Sequence, residues 1–192
     1  MRQDFSNVTP EALAALFPVL LAGHDPQWRE DYLKEEKYLR SVFGKELERI
    51  GHIGSTAVPG LTAKPTIDIL LEVAQGTDLM PFTELLLDAG YVVNHPPADL
   101  IMYLKGYTPE GFRGQAFHIH VRYRGDWDEP YFRDYLIAHP EAAAEYAELK
   151  RALKERFPFD RDGYTAEKGA FVKRCTSLAR AKFPGKYGVA KR

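Results

Sequence analysis

Apolar and polar residues alternate with a period of two from Ala116 to Tyr123. Phe117, Ile119, Val121 and Tyr123 fall on one face of the strand this predicts, and His118, His120 and Arg122 on the other. A second strand is predicted over Thr66–Val73. Its Ile67, Ile69, Leu71 and Val73 form one face, and Thr66, Asp68, Leu70 and Glu72 the other. The short apolar run Ile50–Ile53 precedes it and reads as a further strand, joined to it through Gly54-Ser55-Thr56 and a proline-bounded loop. Shorter strands are expected at PVLLAG (18–23), Tyr91–Val93 and Leu100–Lys105. Asn94–Asp99 reads as a polar loop, and Gly106–Gly114, with three glycines, as a turn or long hairpin loop.

Helical spacing fills the remainder. Thr9 caps a short helix with Pro10 in its first turn, ending near Phe17. A longer helix follows Asp25-Pro26. Its Trp28, Tyr32, Glu35, Leu39 and Val42 make one stripe, interrupted by a carboxylate that needs a partner if it is buried. Thr77–Ala89 is a helix closed by Gly90. After Asp126 the pattern is wholly helical: Tyr131–Ala138, Glu141–Phe157, and a last helix capped by Thr165 and running to about Phe183. The fold class this predicts is α/β (α+β): a small mixed sheet flanked by helices, with a C-terminal helical segment. One domain spans 1–192, an α/β core over 1–126 and a helical extension over 127–192.

The 192 residues carry 26 basic and 27 acidic side chains, a formal net charge of −1. That balance argues against a broad electrostatic footprint for duplex nucleic acid. Cys175 is the single cysteine, so thiolate zinc sites and intrachain disulfides are excluded. No membrane span or signal peptide is visible, which makes the cytoplasm the expected location. The oligomeric state is not readable.

Chemistry concentrates in few places. Gly54-Ser55-Thr56 combines a backbone able to approach an anion with two hydroxyl donors. If the Thr66–Val73 and Ala116–Tyr123 strands are neighbours, Asp68, His118 and His120 converge. Two imidazoles and a carboxylate suit a divalent transition metal better than magnesium. Lys64, Arg122, Arg133, Tyr164 and Lys168 are candidate phosphate contacts. His52 is a candidate support for the turn. A serine-hydrolase elbow, a P-loop and a dinucleotide fingerprint are all absent.

The stretch HIGSTAVPGLTAKPTIDI resembles the signature of the GrpB family, and DPQW with the following Tyr32, Glu35 and Leu39, YFRDYLIAHPEAAAEYAELK and YTAEKGAF resemble further parts of it. The resemblance implies a nucleotidyltransferase-superfamily fold. Members of that superfamily with known activity set a Gly-Ser turn beside an Asp-x-Asp strand and a third carboxylate strand, holding two magnesium ions over a nucleoside triphosphate. By this resemblance Asp68 is the catalytic carboxylate, Gly54, Ser55 and Lys64 contact phosphate, Glu35 gains weight as a supporting residue, and a nucleotide or small phosphorylated ligand binds with Mg²⁺, Mn²⁺ or Zn²⁺. Leu70 stands two residues after Asp68 and Thr66 two before it, so the acidic pair is incomplete. That favours ligand binding without efficient transfer; the alternative is an active metal-dependent nucleotidyl- or phosphoryl-transferase.

Overall fold

A computed structural model describes residues 2–94 and 101–188. Its centre is a five-stranded mixed sheet in the order β1-β2-β5-β4-β3, with β1 Leu47–Ile53, β2 Thr66–Val73, β3 Val92–Asn94, β4 Ile101–Thr108 and β5 Gly111–Tyr123. β2 and β5 run parallel, with Asp68 opposite His118 and Leu70 opposite His120, while the other pairs are antiparallel. β2 has the boundaries its alternation predicts.

One face of the sheet is covered by α2 (Gln27–Phe43) and α3 (Met80–Asp88). Ile67, Ile69, Leu71, Val73, Phe117, Ile119 and Val121 meet Trp28, Tyr32, Leu39, Phe43 and Leu86 there in one apolar cluster. Each such side chain, fully buried, contributes about 1.5–3 kcal/mol. Glu35 lies on this buried stripe and is 5% exposed. It accepts hydrogen bonds from Tyr91 and, at 2.7 and 2.9 Å, from Lys105 Nζ. The cost of burying it is therefore met by Tyr91 and by an ion pair to the part-exposed Lys105 at the edge of the core, and the expectation that Glu35 supports the site is corrected.

The helical segment comprises α4 (Asp128–Ala138), α5 (Pro140–Arg156), α6 (Arg161–Glu167) and α7 (Gly169–Lys182). It forms a second cluster in which Phe132, Leu136, Tyr146, Phe171 and Cys175 enclose Val58 and Leu61 from the loop after the Gly-Ser turn. The predicted last helix is two helices. Asp160, not Thr165, is the cap, accepting from Gly163 N at 2.8 Å, and the helix is interrupted at Lys168, where α6 ends and α7 begins.

Two strand expectations also change. PVLLAG does not join the sheet: Val19 N bonds to Pro158 O at 2.8 Å, and Ala22 pairs with Ala63 in an isolated bridge. The segment laces the α5–α6 connection to the loop before β2, behind the short helix α1 (Pro10–Leu16). The glycines of 106–114 do not make a long loop. β4 continues to Thr108 and β5 begins at Gly111, with the register slipping between Lys105 and Tyr107, where Gly106 takes φ +84°. The predicted loop 94–99 falls outside the described residues beyond Asn94.

Candidate functional site

The second sheet face carries the polar residues. The parallel pairing of β2 and β5 puts Asp68 between two imidazoles, with its Oδ1 3.3 Å from His118 Nδ1 and 3.3 Å from His120 Nε2. One ligand atom from each of the three residues lies within 4.8 Å of the others, a spacing a single divalent ion could bridge. The donor set fits a transition metal: two nitrogens and one oxygen on adjacent strands. It does not fit a two-magnesium clamp, because Leu70, where a second carboxylate would stand, is buried at 2% exposure. Burial opposes ionisation of Asp68, but the histidine hydrogen bonds outweigh it and hold the carboxyl well below its ordinary range. Burial also lowers His118, with the Asp68 contact opposing. His118 Nε2 meets Tyr107 Oη at 2.7 Å, and that oxygen accepts from Arg161 at 3.0 Å. Such an outer contact fixes ring orientation and leaves Nδ1 directed at Asp68.

The Gly54 turn packs directly on this carboxylate. Gly54 has φ +70°, and a Cβ placed there would lie 2.4 Å from Asp68 Oδ2, so only glycine allows the approach. His52 braces the turn: its Nε2 is 2.9 Å from Thr56 Oγ1, and its ring stacks on Tyr32 at 4.8 Å. Burial, partly offset by Asp68, pushes His52 down to about 4, so it is a neutral buttress at pH 7. Thr56 is turned inward, donating to Thr66 O at 3.2 Å. It braces the turn and offers no hydroxyl to the cleft, which corrects its predicted role.

Above the turn lies a cleft of about 760 Å³ lined by Gly54, Ser55, Asp68, His118 and His120 from the sheet side, and by Lys64, Lys150, Arg161, Tyr164 and Lys168. Lys64 Nζ sits 5.2 Å and Lys168 Nζ 4.3 Å from the centre of the buried Tyr164 ring. The Tyr164 hydroxyl is buried without a hydrogen-bond partner among the described residues. Burial, then repulsion from Lys168 and Arg161, takes Lys64 down to about 7. Burial also brings Lys168 to about 8, against attraction from Asp68. Lys150 was not singled out in the sequence. It is 2% exposed, reaches Ser55 Oγ at 3.2 Å and the Thr62 carbonyl, and falls to about 7 through burial and the repulsion of Lys168 and Arg151. The other buried residues on its stripe of α5 are apolar: Ala142, Tyr146, Ala147 and Leu153. A lysine on the inward stripe of an otherwise regular amphipathic helix was the available signal.

Two predicted cations do not reach the cleft. Arg122 shares the face of the histidines but bonds to Glu129 at 2.5 Å and lies over Trp127 at 4.4 Å. Arg133 donates to His52 O at 2.9 Å and to Asp134, tying α4 to β1. Glu72, on the Asp68 face, is fully buried and neutralised by Arg49 and Arg124.

Among the described residues no helix is long and apolar enough to cross a membrane. The family model described as GrpB protein matches residues 18–178, which include every residue of the Asp68 cluster and the four cations. A UPF0157 protein of Pseudomonas aeruginosa is 39% identical over 160 residues, covering 82% of this chain and 66% of that protein. The glutamate-rich protein GrpB of Alkalihalophilus pseudofirmus is 36% identical, covering 80% of this chain and 91% of its own. A dephospho-CoA kinase of Mycolicibacterium paratuberculosis is 30% identical, covering 79% of this chain but 43% of the kinase. The crystal structure of conserved protein GrpB from Enterococcus faecalis superposes with a TM-score of 0.76 at 26% identity, covering 85% of this chain and 99% of that one. With the family model matching 18–178 and a GrpB relative 36% identical over most of both lengths, the chain belongs to the GrpB family.

Proposed function

We propose that the cleft binds a nucleotide or another small phosphorylated ligand together with one divalent metal ion. The observation that carries this reading is the convergence of Lys64, Lys150, Lys168 and Arg161 on a cavity that Asp68, His118 and His120 also line. Three of those four cations sit well below the ordinary lysine value in the free protein. Buried like charges cost free energy, and a polyanion would remove that cost. Asp68 Oδ, His118 Nδ1 and His120 Nε2 would hold the ion, which when bound would neutralise phosphate charge on the sheet side. Ser55, held by Lys150, would contact a phosphate oxygen from the turn.

Leu70 favours binding over efficient nucleotidyl transfer, because stabilising both the attacking and leaving oxygens of an in-line displacement takes two metals or an equivalent charge. The dephospho-CoA kinase name of one relative agrees with a nucleotide-handling context. The test is titration calorimetry with nucleoside triphosphates and phosphorylated metabolites, with Mg²⁺, Mn²⁺ or Zn²⁺, and product analysis on each binder. Asp68→Asn should lose the metal-dependent part of the affinity, and Lys168→Met the metal-independent part. Failure of every phosphorylated compound to bind overturns the proposal. Metal-dependent pyrophosphate release, lost in Asp68→Asn, would replace it with the transferase reading.

A further inference from the structure

The face of the sheet that carries the Asp68 cluster does not stay polar. Cross-strand register places Leu104 of β4 opposite His118 and Met102 opposite His120. On the next strand Val92 of β3 lies opposite Leu104, and Asn94 opposite Met102. Each step between strands is about 4.8 Å, so an apolar shelf begins one step from the imidazoles and extends about 10 Å across β4 and β3. Met102, Leu104 and Val92 are only partly buried, and all three line the same cavity as the lysines. A second apolar wall, Phe5, Leu13 and Phe17 from α1 and the residues around it, lines the same cavity and shares an apolar cluster with Leu104. That wall lies N-terminal to residues 18–178, the span matched to the family. Asn94, at the edge of the shelf, is its one side chain with amide hydrogen-bonding groups; among the described residues the rest present methyl, methylene and thioether surface.

We infer that the cleft is bipartite and selects phosphate or diphosphate esters of an apolar or aromatic group, with the organic part lying between the β3–β4 shelf and the α1 wall. This rests on the phosphate reading of the lysine side. Three features carry the inference. The shelf is contiguous with the cation cluster inside one cavity, so a group esterified to a phosphate held there has the shelf within one bond-chain length. Its width of two strands matches a single ring system or a chain of about six carbons. Among the described residues the shelf offers the hydroxyls of a free sugar no side-chain partner but the Asn94 amide at its edge, and unpaired buried polar groups are strongly selected against. The source of the apolar group is either a nucleobase or an aliphatic chain, and both share this chemistry.

The experiment uses ligands that carry the same diphosphate: pyrophosphate, ribose 5-diphosphate, adenosine diphosphate and hexyl diphosphate, titrated into the full chain at pH 7 with Mn²⁺. Adenosine diphosphate, hexyl diphosphate or both should bind at least tenfold more tightly than ribose 5-diphosphate. A gain confined to adenosine diphosphate identifies the nucleobase, and one confined to hexyl diphosphate the aliphatic chain. Leu13→Gln with Met102→Gln, and separately the near-isosteric Val92→Thr, should reduce that gain while leaving pyrophosphate affinity within twofold, which also reports that the variants are folded. If pyrophosphate binds but neither ester gains over ribose 5-diphosphate, or the gain survives in all variants, the bipartite inference is wrong and the phosphate site stands. If pyrophosphate itself does not bind, the phosphate reading fails and takes this inference with it.

Discussion

Replacing Lys168 with methionine should change the cleft in two opposing directions. Lys168 is the largest charge contribution, after burial, to the low values of both Lys64 and Lys150, each brought to about 7. A bound polyphosphate would return such a lysine toward its ordinary value of about 10.4. For a group with a free value of 7, the fraction able to bind in the charged form falls from about one half at pH 7 to about one hundredth at pH 9. Affinity therefore drops about fiftyfold per lysine across that interval, and binding at pH 8 takes up close to one proton per lysine. In Lys168→Met one phosphate contact is lost, so affinity at pH 7 falls. The two remaining lysines are relieved of repulsion, so their free values rise and their share of the pH dependence flattens. The stability of the free protein shows the converse. Between about pH 7 and 10 the unfolded chain binds more protons at these lysines than the folded chain does, so their penalty is fullest below about pH 7 and fades as pH rises. Lys168→Met should raise the melting temperature of the free protein at pH 7, with a smaller gain at pH 9. The assay is calorimetric titration with tripolyphosphate from pH 7 to 9 in buffers of differing ionisation enthalpy, together with thermal melts. The ligand's own titration is common to wild type and variant and cancels in the comparison. Identical pH slopes in the two proteins, or binding without proton uptake, would refute the linkage of the three lysines.

Mn²⁺ or Zn²⁺ should raise the melting temperature more than Mg²⁺, and the difference should vanish in His118→Ala with His120→Ala; equal stabilisation of both proteins would rule out imidazole ligation. Gly54→Ala forces a Cβ to within 2.4 Å of Asp68 Oδ2 in a left-handed backbone, so it should destabilise by about 1–3 kcal/mol and abolish the metal response, read by melts with and without Mn²⁺. Glu35→Ala leaves the buried Tyr91 hydroxyl and the part-exposed Lys105 without their carboxylate and should cost about 1–3 kcal/mol in denaturant melts while pyrophosphate affinity stays unchanged; a loss of affinity would return Glu35 to the site.

The strands that hold the metal-type residues were legible because period two alone assigns faces, and parallel pairing of β2 with β5 then brings Asp68 to His118. What alternation cannot reveal is which polar residue on a face is already satisfied. Glu72 and Asp68 share a face, yet Glu72 is bound by Arg49 and Arg124, the first from β1 and the second from just past β5. Arg122 and Arg133 look like phosphate cations in the sequence because Glu129, Trp127 and the His52 carbonyl become their partners only in the fold. Lys150 is the reverse case. It lies 95 positions from Ser55, and no local pattern links them; the packing of α5 over the loop at Val58 and Leu61 does. Lys64, Tyr164 and Lys168 were among the candidates the sequence offered, but Lys150 and Arg161 join the same cavity through tertiary contacts that spacing does not encode.

The cavity lies between the polar face of the sheet and the helical segment, and each of these bodies has its own apolar cluster. The sheet and α2–α3 form one, and α4, α5 and α7 with the Val58–Leu61 loop form the other. Its metal-type residues belong to the first body, while Lys150 and Lys168 belong to the second. An occupant holding both walls acts as a clasp across that seam. Part of its binding energy would then appear as resistance of the helical segment to opening, and amide hydrogens in α6 and α7 that never touch the occupant would exchange more slowly in its presence.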